Sequence, residues 1–155
     1  MLSWLKSLFQ GPKPAGPPRL LRSFSTSDST INNDSISEEA DTFLIESKQP
    51  QSIPLFEIEN PDIEKCILTF RAQLKTENFE GEAYLEMWCR FPGKGEFFSR
   101  GIQQALKGTN DWSTKETPFY LKRGQQPDLI KLNIAAQGVG SVWAKSIELL
   151  VTPLE

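Results

Sequence analysis

Apolar and polar residues alternate along most of the chain from residue 42 onward, most clearly over residues 83–91, Ala-Tyr-Leu-Glu-Met-Trp-Cys-Arg-Phe. A β-strand places successive side chains on opposite faces, so Leu85, Met87 and Cys89 share one apolar face. The other face combines aromatic and charged side chains, namely Tyr84, Glu86, Trp88 and Arg90. The pattern predicts a strand with one buried face and one outward face that carries the chemistry.

Short runs of the same kind continue to the end of the chain, separated by proline, glycine and asparagine. They predict eight strands, near residues 42–47, 52–59, 64–76, 82–91, 95–101, 116–122, 128–137 and 141–151. Eight strands in about 110 residues is the size of an antiparallel β-sandwich. The sequence therefore predicts an all-β fold, an eight-stranded antiparallel β-sandwich of the jelly-roll type over residues 42–152.

The alternation also predicts which side chains point into the core: Leu68, Phe70, Ala72, Leu74, Leu85, Met87, Ile130, Leu132, Ile134 and Ala136. If residues 64–76 pair with residues 82–91 as a hairpin, these inward residues face each other and Arg71 lies opposite Glu86. If the two strands belong to different sheets, this register does not apply. Both arrangements remain open at this point.

The first 41 residues have a different composition from the rest. Residues 10–41 are rich in proline, glycine and small polar residues, which predicts a flexible linker. Residues 1–9 have an apolar stripe at helical spacing and predict a short amphipathic helix. Such a helix would bind a membrane surface or a protein partner through Leu2, Trp4, Leu5, Leu8 and Phe9. The alternative is a disordered tail whose apolar residues contribute little.

Two targeting readings follow from the same region. The apolar patch at residues 2–9 is too short to span a bilayer, and its Lys6 and the following prolines are not typical of a secretory signal. We therefore expect a cytoplasmic protein, at most peripheral to a membrane. The first 27 residues contain no acidic residue and also resemble a mitochondrial presequence, so a mitochondrial location is the alternative.

Composition excludes several function classes. The chain has no histidine, which removes the commonest general base and the commonest transition-metal ligand. No other residues combine into a catalytic constellation, and we predict a protein that is not an enzyme and binds no cofactor. A net charge of −3 argues against binding nucleic acid. The two cysteines, Cys66 and Cys89, are too few for a disulfide framework or a zinc cluster and are predicted to be buried free thiols.

The outward residues of the central strands are the candidate ligand site. Sugars stack an apolar ring face on aromatic side chains while their hydroxyls bond planar polar groups. The residues of these types are Arg71, Gln73, Tyr84, Glu86, Trp88, Arg90 and Asn133. The alternative is a solvated sheet face, because tyrosine and tryptophan favour strands in any case. An exposed Phe98 or Tyr120 near Trp88 would favour the binding site.

Three stretches follow one another in an order that resembles a known family: GEAYLEMWCRF at 81–91, GTNDWSTKETPFYL at 108–121 and IKLNIAAQGVGSVWAKSIELL at 130–150. The order resembles the galactose-binding-like jelly roll of many carbohydrate-binding modules, in which a Gly-Thr-x-x-Trp turn precedes a strand and the closing strand reads V-W-x-D-x-x-L. The resemblance covers about residues 42–152. It implies a jelly roll with Trp112 and Trp143 in the core or at its corners.

The family's closing strand usually carries an aspartate after its tryptophan, and this residue often helps to hold a structural calcium. Here Trp143 is followed by Ala144, Lys145 and Ser146. Calcium needs several hard, preferably anionic oxygen ligands, so we predict no metal at this position.

Two functions are consistent with these observations. The first is a non-catalytic binding module that takes a carbohydrate or another small polar ligand on the polar-aromatic sheet face or on the rim loops. The second is a structural or scaffolding domain that binds a protein partner and is tethered to a membrane or complex by its N-terminal helix.

Overall fold

The computed structural model describes residues 13–31 and 34–155. The predicted helix at residues 1–9, with Leu2, Trp4, Leu5, Leu8 and Phe9, lies outside these ranges, so the tether remains a prediction. Within the described ranges no helix is long and apolar enough to cross a membrane. The strands are β1 (Arg19–Phe24), β2 (Ile36–Glu39), β3 (Thr42–Ser47), β4 (Gln51–Glu59), β5 (Cys66–Phe91), β6 (Gly95–Arg100), β7 (Leu106–Leu121) and β8 (Leu129–Pro153), with a short 3-10 turn at Ile102–Gln104.

The two long strands β5 and β8 pair with each other and form the centre of the molecule. The first half of β5 pairs with the last part of β8 and with β7, whereas its second half pairs with the first part of β8 and with β6. β1 and β3 join the last part of β8, and β4 joins the first part. The first layer therefore contains β1, β2, β3 and β7 around one half of the central pair, and the second layer contains β4 and β6 around the other. All these ladders are antiparallel, and the predicted all-β antiparallel fold is confirmed.

The sheet folds over where β5 and β8 pass from one layer to the other. Their ladder is interrupted between Glu77 and Glu80. The two backbones come so close here that a Cβ atom on Gly138 would lie 1.9 Å from the carbonyl oxygen of Glu80. A glycine is therefore required at this crossing, because any side chain would push the central strands apart.

The inner faces of both layers form one hydrophobic core. Phe24 of β1 stacks on Phe56 of β4 with ring centroids 4.2 Å apart, which joins the first layer to the second. The core contains all the inward residues that the alternation predicted: Leu68, Phe70, Ala72, Leu74, Leu85, Met87, Ile130, Leu132, Ile134 and Ala136. The faces assigned to β5 and to the start of β8 are thus confirmed.

The predicted linker over residues 10–41 is wrong for two segments. β1 (Arg19–Phe24) and β2 (Ile36–Glu39) are strands that lie within it. β1 pairs with the end of β8, more than 120 residues later, and buries Phe24. Neither segment alternates in a way that predicts a strand. Each one is held as a strand by its pairing with a partner strand in the folded protein.

Of the two arrangements left open for residues 64–76 and 82–91, the hairpin does not form, because both segments belong to the single strand β5 and lie in different layers. Arg71 consequently lies opposite Glu116 on β7 and Glu148 on β8 rather than opposite Glu86. Residues 128–137 and 141–151 are likewise one strand, β8. In both places the glycine signals mark a bend between layers and not a reversal of the chain.

Candidate functional site

The structure divides the predicted ligand residues between two surfaces. Five of them lie on the outer face of the second layer: Tyr84, Glu86, Trp88, Arg90 and Asn133. Arg71 and Gln73 lie on the first half of β5, and their outer face belongs to the first layer, on the opposite side of the shared core. The seven residues therefore do not form one site. The physical reason is the passage of β5 from one layer to the other between these two groups.

A buried carboxylate organises the face of the second layer. Glu86 is only 2% exposed, and its Oε1 accepts hydrogen bonds from Trp88 Nε1 at 2.9 Å and from Asn133 Nδ2 at 3.1 Å. Its Oε2 accepts a hydrogen bond from Arg100 Nε at 2.9 Å, which is also an ion pair. Because Asn133 and Arg100 lie opposite Glu86 on the two neighbouring strands, the carboxylate links β8, β5 and β6.

The protonation state of Glu86 follows from two opposing effects. Burial on its own would raise the pKa of the carboxyl group, but hydrogen bonds from Trp88, Asn133, Arg100 and Ser52 together outweigh burial and lower the pKa below its ordinary value. Glu86 is therefore ionised at neutral pH. It neutralises Arg100 and holds the indole of Trp88.

Two aromatic rings lie above this network. Phe98 of β6 is directly opposite Trp88, with ring centroids 5.0 Å apart and planes inclined by 52°. The guanidinium of Arg100 lies 4.0 Å from the centroid of Phe98. Phe98 is 50% exposed, and Trp88 is partly exposed. An exposed Phe98 beside Trp88 is one of the two arrangements that, according to the sequence analysis, would favour a binding site.

Charged and polar groups surround the aromatic pair. Arg90 donates to Asp128 at 2.9 Å, and Lys131 forms an ion pair with Glu96 at 2.8 Å. Asn133 is buried, and its Oδ1 makes no hydrogen bond to any residue in the described ranges. The face thus offers ring surfaces and paired charges at its edges, while the unpaired acceptor of Asn133 lies beneath it.

Arg100 is a member of the Glu86 network that the sequence interpretation missed. A signal for it exists in the Pro92–Lys94 turn, which sets Phe91 opposite Gly95 in the β5–β6 hairpin. Counting back along this register places Arg100 opposite Glu86. The Arg100–Glu86 ion pair could therefore have been predicted from the position of the turn together with the alternation.

The outer face of the first layer is occupied by its own side chains. Arg71 pairs with Glu148 at 3.0 Å and with Glu116 at 3.7 Å. Gln73 lies beside this ion-paired group on the same strand. The arginine that was predicted to contact a ligand is therefore engaged by two acids.

Trp112 and Trp143 are partly exposed on the same outer face and do not belong to the core, which was one of the two positions, core or corner, that the family resemblance implied. Lys145 lies 4.2 Å from the ring centroid of Trp112. Lys75 lies 5.2 Å from that of Trp143, whose indole N–H donates to Glu39 at 2.9 Å. A lysine ammonium thus lies over each of these two rings.

The remaining reactive groups are buried or dispersed. Burial raises the pKa of the Cys66 thiol to about 11 and that of Cys89 to about 12, and both thiols are free. Within residues 13–31 and 34–155, no group of three or more histidine, cysteine, aspartate or glutamate side chains is placed to hold a metal ion.

No protein-family model matches the sequence, and no curated protein matches it significantly. Solved structures do match. A xylan-binding domain, CBM22-1 of Xyn10C from Paenibacillus barcinonensis, superposes with a TM-score of 0.61 at 10% identity, covering 90% of this chain and 98% of that one. A family 30 carbohydrate-binding module superposes with a TM-score of 0.50 at 11% identity, covering 89% and 94%.

An enzyme is also among the similar structures. A Stig cyclase from Fischerella sp. TAU superposes with a TM-score of 0.50 at 14% identity, covering 94% of this chain and 82% of that one. Identities at this level demonstrate a shared fold and nothing finer. The chain has the β-sandwich fold of carbohydrate-binding modules, as the resemblance in its sequence implied.

Proposed function

We propose that the protein is a non-catalytic binding module that takes a glycan on the outer face of its second layer. The observation that carries the proposal is the aromatic pair of the partly exposed Trp88 and the half-exposed Phe98, in which a buried carboxylate holds the indole N–H of Trp88. Exposed aromatic rings beside polar groups are the surface that a sugar ring needs. The similar xylan-binding domain is consistent with this ligand class.

The aromatic pair is preorganised. The indole N–H of Trp88 is held by Glu86, and Phe98 contacts both Trp88 and the guanidinium of Arg100. Neither ring has to be ordered when a ligand arrives, so little side-chain entropy is lost on binding. A glycan would stack on the exposed ring surfaces, and its hydroxyls would reach Arg90 and Lys131 at the edges of the face.

The proposal assigns different roles to the residues of this face. Glu86 and Tyr84 are both buried, so they position the surface and do not contact the ligand. Asn133 is buried as well and its Nδ2 donates to Glu86, so it also positions the surface; its buried Oδ1 has no partner among the described residues. Arg71 and Gln73 are on the other layer and take no part in this site.

Catalysis by this face is disfavoured on physical grounds. The carboxylate of Glu86 is the acid or base nearest to the aromatic pair, but four side-chain donors hold it and its pKa is lowered. It would have to break these hydrogen bonds before it could accept a proton, and a lowered pKa weakens it as a base. The fold alone does not decide this point, because it also occurs in a cyclase.

A glycan array followed by calorimetric titration tests the proposal. Burying an aromatic side chain contributes about 1.5–3 kcal/mol, so Trp88→Ala and Phe98→Ala should each weaken glycan binding by roughly tenfold to a hundredfold. Trp112→Ala is the matched control, because it removes a tryptophan from the opposite face. Circular dichroism verifies that each variant folds. Binding that both Trp88→Ala and Phe98→Ala leave intact would refute the site, and an array with no binding would refute the ligand class.

A further inference from the structure

A second surface lies at the end of the sandwich, away from the Trp88–Phe98 pair. A groove of about 350 Å³ opens between the β5–β6 turn and the loop that follows β7. We call it the rim groove; its aromatic walls are Phe91, Phe97, Phe119 and Tyr120, and Lys94 and Lys122 lie at its border. Its volume is at the lower end of the range of about 300–1,000 Å³ that is typical of ligand pockets.

The rim groove exposes aromatic surface for a structural reason. β6 is an edge strand, so the ring of Phe97 extends beyond the core and contacts Phe91, with centroids 5.9 Å apart. Phe119 lies on the other side of Phe91, with centroids 6.2 Å apart. Phe97 is 50% exposed and Tyr120 is 48% exposed. Large aromatic rings that stay exposed in a concave place mark a binding surface.

The loop beside the groove is held in place by its own hydrogen bonds. Glu64 accepts from the backbone of Gly124 at 3.1 Å and from Gln126 Nε2 at 3.0 Å. Gln125 Oε1 accepts from the backbone of Lys122 at 2.7 Å. The Nε2 of Gln125 and the Oε1 of Gln126 form no hydrogen bond to another described residue. The groove therefore offers one amide donor and one amide acceptor in a preformed loop.

The charge at the groove distinguishes it from the Trp88–Phe98 face. On that face, Arg90, Arg100 and Lys131 each have an acidic partner. At the groove, neither Lys94 nor Lys122 forms an ion pair within the described part of the chain. Two free ammonium groups beside an apolar groove attract an anionic ligand, whereas a neutral ligand gains no ion pair from them.

We propose that the rim groove is a second binding site and that its ligand is an acidic saccharide, a sugar ring that carries a carboxylate. The apolar face of the ring stacks on Tyr120 and Phe97, and its hydroxyls bond the amides of Gln125 and Gln126. The carboxylate lies between the ammonium groups of Lys94 and Lys122. The inference goes beyond the proposed function, since it concerns another surface with another charge and shares with it only the general ligand class.

The test uses the full chain and two probes with the same sugar rings, trigalacturonate and its uncharged methyl ester, each titrated by calorimetry and by NMR. We expect trigalacturonate to bind at least fivefold more tightly than the ester, and to weaken as salt is added. The double variant Lys94→Gln/Lys122→Gln should lose at least fivefold in affinity, and Tyr120→Ala about tenfold. Lys48→Gln, an exposed lysine on another loop, is the matched control and should bind as the wild type does.

Trp88→Ala separates this inference from the proposed function. It should leave trigalacturonate binding unchanged while it weakens binding of a neutral glycan. The inference is overturned if trigalacturonate does not bind, if the ester binds equally well, or if the lysine and tyrosine variants bind normally. Loss of trigalacturonate binding in Trp88→Ala alone would move the acidic ligand to the other face. Equal affinity for a polyglutamate peptide would assign the groove to an acidic protein segment and overturn the saccharide.

Discussion

Removing the carboxylate at the centre of the second layer tests how its outer face is held. In Glu86→Ala, the Ser52 side chain loses its acceptor, and so do three further donors, Trp88 Nε1, Asn133 Nδ2 and Arg100 Nε. Asn133 is buried and has no access to solvent as a replacement. The side chain of Arg100 is 36% exposed and can regain water. The loss is therefore unequal among these partners.

The expected cost follows from these differences. A hydrogen bond to a charged group contributes about 1.5–3 kcal/mol, and removing one partner of a buried ion pair costs about 3–5 kcal/mol. Because Arg100 is partly solvated, we expect the lower end, about 3 kcal/mol in the free energy of unfolding. Glu86→Gln keeps an oxygen for Trp88 and Asn133 but loses the ion pair, so it should cost about half as much, roughly 1.5 kcal/mol.

Urea unfolding at pH 7, followed by tryptophan fluorescence and circular dichroism, measures both variants. Glu116→Ala is the control, because Glu116 makes a more exposed ion pair with Arg71 at 3.7 Å and should cost less than about 1 kcal/mol. If Glu86→Ala unfolds within about 1 kcal/mol of the wild type, the carboxylate does not hold this face, and the reasoning that Trp88 is preorganised fails with it.

Three further predictions concern pH, the crossing between layers and the thiols. The pKa of Glu86 is lowered, so the stabilisation by its carboxylate is present above the ordinary pKa of glutamate and is lost as pH falls through the folded-state pKa. The difference in unfolding free energy between wild type and Glu86→Gln should therefore shrink from pH 7 to pH 3 in urea titrations. A constant difference would contradict the assignment. Gly138→Ala places a Cβ atom 1.9 Å from a backbone oxygen and should lower the free energy of unfolding by more than about 3 kcal/mol in the same assay. Gly93 has open space around it but a φ of +73°, so the control Gly93→Ala should lower it by only about 1 kcal/mol. With thiol pKa values of about 11 for Cys66 and about 12 for Cys89, labelling by a thiol reagent at pH 8 should be slow until denaturant is added, and fast labelling of the folded protein would refute their burial.

Much of the binding face could be predicted from local pattern. Alternation placed Trp88 outward and Leu85 inward, and the structure agrees. The Pro92–Lys94 turn further determines which residues of β6 lie opposite Trp88 and Glu86, since a hairpin register depends only on residues near the turn. The burial of Glu86 could not be predicted in this way, because it depends on Asn133, which is 47 residues away.

In the last part of β8, the local sequence pattern does not predict which side chains point into the core. The last part of the chain alternates irregularly in sequence, and the structure explains why: Ser146 has a φ of +53°. Val142 and Ala144 point inward before it, and Ile147 and Leu149 point inward after it. A single left-handed residue exchanges the two faces of a strand, and a serine at this position gives no signal of it.

By itself, the sequence determined that the chain from residue 42 onward is all β and which side of the regularly alternating segments is apolar, because a strand alternates with a period of two residues and this property is local. Only the tertiary structure decided which layer each segment joins. Gly81 and Gly138 could have marked either a turn or a bend, and close packing of the two central strands makes them a bend. That bend places Arg71 and Trp88 in different layers. In the resulting sandwich, Phe24 packs into the core from a segment without a strand pattern, and two exposed surfaces with different charge remain.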